Sequence, residues 1–247
     1  MPFGSHPGEC RFPTTHWSLV VRAGRSEVDA RREALEQLLR SYLPALRAHL
    51  IRGRRLSPDS AEDLIQEFVT SRIIERDLLA GADRDRGKLR TFLLATLDRF
   101  LIDHLRRERA AKRSPDDPRR VEGFGAAEVA DSPRSDVFDE AWAREVIQWS
   151  IKWMRDECAA SGRDDVWLLF EERILNPLLG GTRPTEYEAL VGRCGLTSAS
   201  QASNVLITAK RMFARTLRAV VGQYALGDEA VESEIRDLYT ILARGHS

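Results

Sequence analysis

At 247 residues, 43% hydrophobic and 31% charged, the chain has the composition of a globular protein with room for one or two cores. No apolar run approaches membrane-spanning length and no secretory pattern opens the sequence, which argues against membrane insertion and leaves a cytoplasmic protein as the expectation. Its 38 Lys+Arg balance its 38 Asp+Glu, so any basic cluster is a local feature.

Nearly every periodic segment has helical spacing, and the expected fold class is all-α. Residues 15–23 predict a short first helix and 29–52 a long one, with Pro44 as a kink or break. A third helix is predicted over 59–76. Two start signals compete there: Ser57 followed by Pro58, or Ser60 with Asp63 three residues on. Ala61, Leu64, Ile65, Phe68 and Val69 make its buried face. Asp63, Gln66, Glu67 and Thr70 fall at i, i+3, i+4 and i+7 and share another face, open either to basic side chains of a partner or simply to water. Glu62, Asp63 and Glu67 could hold a divalent cation, but no helical Glu-x-x-His pair accompanies them, so no metal or other cofactor is expected.

A loop over 77–87, rich in Asp, Arg and Gly, leads to an amphipathic helix over 88–113. Leu89, Phe92, Leu93, Leu97, Phe100, Leu101 and Leu105 recur at helical spacing. Arg106, Arg107, Arg109, Lys112 and Arg113 then crowd its end against a single Glu108. Such an end is either solvated or a grip for nucleic acid. Periodicity stops over 114–137, which holds three Pro and two Gly; a tether of about 27 Å root-mean-square is the reading there. Charge changes sign near it. Residues 1–120 carry 24 basic and 18 acidic side chains, and residues 121–247 carry 14 and 20. Helical patterns resume at 138–160, 164–175, 184–194, 198–221 and 228–243. The architecture predicted is two helical domains joined by a flexible linker.

Within the second domain, Thr185 and Glu188 fit a capping box after Pro184, and Gly195 is placed to end that helix in a left-handed turn. Ser198 and Gln201 fit a second box. Ala202, Val205, Leu206, Ala209, Phe213, Leu217 and Val220 follow as one buried face. A short helix, a glycine turn and a longer helix make a helix-turn-helix pattern. The opposite stripe carries Gln201, Asn204, Thr208, Arg211, Arg215 and Arg218. Amides there suit adenine and arginines suit guanine or phosphate; a solvated bundle helix is the plainer alternative. Cys10, Cys158 and Cys194 form no C-x-x-C pair, so neither a disulfide framework nor a zinc site is indicated.

Three segments in order resemble one family, the bacterial RNA polymerase sigma factors of the extracytoplasmic-function type. SAEDLIQEF at 60–68 resembles their polymerase-docking helix. Arg90, Phe92, Leu93, Asp98, Arg99, Asp103, Arg106 and Arg107 match the pattern of their −10 recognition and melting helix. Residues 183–221 resemble their −35 reader, and residues 12–24, FPTTHWSLVVRAG, resemble the opening of a subgroup from planctomycete-like bacteria. The resemblance implies a region-2-like domain over 12–113, a linker over 114–137, a region-4-like domain over 138–221 and a C-terminal helical extension over 222–247.

It also implies a non-enzymatic, nucleoid-associated role in transcription initiation, with core RNA polymerase (its clamp coiled coil) and promoter DNA as partners. An anti-sigma or other regulatory protein would be a further one. Asp63, Gln66, Glu67 and Thr70 would meet polymerase. Arg86, Lys88, Arg90, Arg99, Arg106, Arg107, Arg109, Lys112 and Arg113 would hold the −10 region. Ser200, Gln201, Ser203, Asn204, Thr208, Lys210, Arg211 and Arg215 would hold the −35 region. Asp98 stands where the family commonly has Asn, which leaves it between base contact and an intramolecular salt bridge. Rival expectations are a helix-turn-helix regulator acting without polymerase and a sigma-like scaffold or inhibitor.

Overall fold

The computed structural model describes residues 28–76, 78, 88–112, 134–225 and 227–244. Among these residues the fold is all-α, with no strand. The helix expected at 15–23 and most of the expected linker lie outside them.

Helix α1 spans Val28–Ala48 and runs on as a π-type turn over His49–Gly53. Pro44 lies inside α1 and does not end it. Proline removes one backbone donor, while Tyr42, Ala45, Leu46 and Leu50 around it are all buried and hold the helix to the core. Helix α2 covers Pro58–Phe68 and continues as a π-type turn over Val69–Ile74. Of the two predicted starts the first is used. Ser57 is extended (φ −63°, ψ 153°), its side chain accepts from the Ser60 amide at 3.2 Å, and Pro58 opens the helix. Helix α3 covers Leu89–Lys112.

Next come α4 (Arg134–Ala160), α5 (Asp164–Phe170) with its π-type turn Glu171–Leu175, and α6 (Asn176–Gly180). They are followed by α7 (Tyr187–Arg193), α8 (Ala199–Gly222) and α9 (Asp228–Arg244). The last residues of the expected linker, 134–137, form the first turn of α4.

Packing divides the described chain into two compact units, one within 28–145 and 236–244, the other over Val146–Ile235. The boundary falls inside α4, between Glu145 and Val146, whereas the sequence pattern placed a domain start at 138.

In the first unit α1, α2 and α3 pack on one another. Leu46, Leu50, Phe68, Leu93 and Leu97 are fully or almost fully buried, as are Phe138 and Trp142 of α4. Phe68 and Phe100 meet in a tilted pair with ring centroids 5.5 Å apart. Each such side chain contributes roughly 1.5–3 kcal/mol through burial.

In the second unit α5 packs on α8. Met154, Cys158, Val166, Phe170, Leu206, Ala209 and Met212 form its main cluster. Burial pushes the Cys158 thiol upward in pKa, so it stays a protonated packing group, with its sulfur 3.7 Å from that of Met212. A smaller cluster of Leu169, Leu190 and Ala202 seats α7.

The capping box expected at Thr185 does not form. Glu186 is the N-cap of α7 and makes no side-chain cap bond. The Thr185 hydroxyl instead donates to Glu172 at 2.8 Å, and Arg193 donates to the other carboxylate oxygen at 2.8 Å. Those two hydrogen bonds hold Glu172 below its ordinary pKa. The Glu172 carboxylate is thus reached from both ends of α7.

Candidate functional site

The turn between α7 and α8 depends on Gly195, whose φ is +64°. A Cβ there would meet nothing within 4 Å, so the left-handed backbone alone calls for glycine. Ser198 (φ −160°, ψ 158°) caps α8, accepting from the Gln201 amide at 3.2 Å. The Gln201 side-chain oxygen reaches back to the Thr197 amide and hydroxyl, both at 2.8 Å. The expected reciprocal box therefore forms one residue out of register, on Thr197 instead of Ser198. It also commits the Gln201 carbonyl, leaving its amide nitrogen as the group suited to an outside acceptor.

Ala202, Leu206 and Ala209 face inward, while Ser200, Gln201, Asn204, Thr208, Lys210 and Arg211 are exposed and Ser203 is half-buried. Arg215 and Arg218, further along the stripe, are engaged within the same unit by Glu157 and Glu232. Sequence reasoning passed over Ile207. It is 46% exposed between Asn204 and Arg211 on the outer face. Its spacing carried the signal, since 204, 207 and 211 are successive i+3 and i+4 neighbours.

On α2 and the π-type turn that continues it, Asp63, Gln66 and Thr70 are exposed, and Glu62 turns to Arg47 with a 2.7 Å ion pair. Glu67 stands apart from the other three. His104 Nδ1 lies 2.9 Å from one of its oxygens, and both terminal nitrogens of Arg107 donate to the other at 3.1 and 3.2 Å. A residue expected to meet polymerase and one expected to meet DNA therefore hold each other, tying α2 to the end of α3.

The start of α3 also differs from expectation. Arg90 is only 7% exposed. Its guanidinium lies 4.4 Å from the Trp142 ring centroid and is paired with Asp237, with Asp139 at 3.9 Å. Lys88 donates to Asp237 at 2.6 Å. Arg90 is thus a packed internal cation, and its surface role does not hold. Burial works to raise the pKa of Asp237, but the bonds from Lys88 and Arg90 outweigh it and lower it. At Asp139, on the far side of Arg90, burial prevails and raises it.

Asp98 likewise faces inward, 8% exposed. His49 Nε2 lies 2.8 Å from one oxygen of Asp98, and Arg54 donates to the same oxygen at 2.9 Å and pairs with the other at 2.6 Å. A carboxylate only accepts, so Nε2 carries its hydrogen toward Asp98. The 3.4 Å approach of Arg54 Nε to Nε2 then joins two donors and is not a hydrogen bond. Arg55 beside it takes φ +58°, a left-handed conformation costing about 1–2 kcal/mol. Asp98 therefore ties α3 to the turn after α1 and is unavailable to bases.

Arg99, Arg106 and Arg107 are exposed on α3. Arg109 and Lys112 ride on its last turns, and Arg86 and Arg113 lie outside the described residues. Among the described residues no group of His, Cys, Asp or Glu is arranged to hold a metal ion, and no helix is long and apolar enough to cross a membrane. No known family, curated protein or solved structure matches the chain.

Proposed function

We propose that the chain is a sigma factor of the extracytoplasmic-function type, which binds core RNA polymerase and directs promoter-specific initiation without covalent chemistry of its own. The observation that carries this reading is the outer face of α8. Behind a glycine turn and a serine cap, it presents Asn204, Ile207, Thr208 and Arg211 in one exposed row. An amide, an apolar branch and a guanidinium in that order suit adenine, a thymine methyl and guanine or phosphate. The exposed Asp63, Gln66 and Thr70 on α2 and its π-type turn support the polymerase partner. The exposed Arg99, Arg106 and Arg107 support the −10 contact.

The decisive test adds the purified protein to core polymerase and maps transcription starts across a genomic DNA library. Specific starts are expected; absence of both starts and polymerase binding would sink the reading. On the duplex it selects, Asn204→Ala and Ile207→Ala are each expected to cost about 1–3 kcal/mol at one base pair and little elsewhere. Binding titrations over single-base variants of the site check this. A uniform loss at every site would assign both residues to packing instead. The rival regulator acting without polymerase draws on Glu67 being occupied within its own unit. It predicts duplex binding with no polymerase in the complex.

A further inference from the structure

Between the π-type turn after α2 and the last turns of α3 lies an open groove of about 480 Å³. Arg72 and Arg76 line it from one side and Arg106 and Arg107 from the other, with Glu67 and Asp103 between them. Four guanidiniums against two carboxylates leave an excess of two positive charges in one concavity.

The carboxylates do not saturate these donors. Asp103 is shared between Arg72 at 3.7 Å and Arg106 at 4.0 Å, both beyond hydrogen-bonding reach. Glu67 divides its oxygens between Arg107 and His104. Phe100 forms the floor, with the Arg72 and Arg107 guanidiniums over its ring at 5.4 and 5.9 Å. The ring holds both guanidiniums against it; the Arg72 fork keeps its edge for an acceptor, whereas Arg107 offers only the N–H groups not turned to Glu67. Arginines gathered this way repel one another, and an anion with several oxygens relieves that repulsion by charge-assisted bonds. Phe100 is 3% exposed, so a base has no ring face to stack on. The groove suits phosphate, not nucleobase.

We infer that this groove is a phosphate site holding two neighbouring phosphodiesters of a nucleic-acid strand, with Arg72 and Arg76 as contacts additional to the basic end of α3. The source of the phosphates rests on the promoter reading above; the anion chemistry does not. Arg72 and Arg76 stand four apart within the predicted helix 59–76, but that spacing alone does not show that Arg106 and Arg107 face them across a groove.

The test measures binding of the full chain to a short labelled DNA duplex and to its single strand over a salt series, with inorganic pyrophosphate as competitor. Arg72→Gln with Arg76→Gln should weaken DNA binding about 10-fold or more at low salt. It should also flatten the plot of log K against log salt by roughly one for each phosphate no longer held. Arg72→Lys with Arg76→Lys should restore the slope but not the full affinity, since the planar fork is gone. Urea midpoints check folding, and Arg76→Gln alone, at an exposed position, serves if the double variant unfolds. Unchanged affinity and slope in the Gln variants overturn the groove while leaving the promoter reading intact. Pyrophosphate binding that the Gln variants lose, in a chain that binds no DNA, keeps the groove and removes the promoter reading. Binding of neither probe overturns the groove.

Discussion

Replacing Asp98 by alanine is expected to cost about 3–5 kcal/mol of folding stability, because it strands the Arg54 cation and the His49 donor that a nearly buried carboxylate now holds. The His49 side chain is 1% exposed, and those of Asp98 and Arg54 are 11% and 13% exposed, so water cannot replace the missing partner cheaply. The strained Arg55 turn would lose its counterweight at the same time. Burial by itself pushes the Asp98 pKa up, but the hydrogen bonds and charges of His49 and Arg54 exceed that effect and hold it below its ordinary 3.8. The sign of the pH dependence follows. A carboxylate with a depressed folded pKa contributes its full stabilisation above the unfolded value and loses it as pH falls through the folded value. Urea unfolding of the native chain and of Asp98→Asn should therefore differ by a constant amount at neutral pH, with the gap closing only below about pH 4. A gap that is flat down to pH 2 would show that Asp98 carries no such linkage.

Charge reversal on α2 is expected to remove polymerase binding. Asp63→Arg with Gln66→Arg puts two cations on an exposed face that the proposed function sets against basic groups. Like charges across an interface cost several kcal/mol, so at least a 100-fold loss of affinity is expected, about 2.8 kcal/mol. Co-purification with core polymerase and equilibrium titration measure it. Glu67 is left out by design. It holds His104 and Arg107, so reversing it would loosen α2 from α3 and confuse docking with folding. A double variant that folds normally and binds polymerase as before would shift support to the regulator acting alone.

Much of the helical layout was legible because it is local. The alternation of Leu89, Leu93, Leu97 and Leu101 gives α3, and Ser57–Pro58 and Gly195–Ser198 mark the edges of α2 and α8 within a residue or two. What spacing misreads or leaves open has a common cause. Arg90 and Asp98 lie on the flank of the inward face of α3; residue type argues for solvent at Arg90, and at Asp98 it leaves base contact and an internal salt bridge equally open. Their partners come from remote chain positions, 147 residues away for Asp237 and 49 for His49. No local pattern carries that pairing. Glu67 failed as a freely exposed docking residue for the same reason, since Arg107 is 40 residues on. Thr185 looked like a cap because spacing cannot see Glu172 behind it.

The π-type turn after α2 has a consequence for length. Phe68 and Ile73 are both buried, 0% and 2% exposed, yet stand five residues apart. An α-helix places consecutive inward anchors three or four apart; the wider π turn, closed by i→i+5 bonds, brings residues five apart toward one face. Carried on at α spacing, the inward direction after Phe68 would fall on Ser71 and Arg72, and Arg72 would face apolar packing instead of the groove. The segment thus contains one residue more than an α-helix needs between the two anchors. It can lose one and keep both inside, whereas one added to the straight part of α2 would swing Phe68 away from Phe100. Spare length at one place and none at the next is how this chain reconciles an apolar core with arginines along the same few turns.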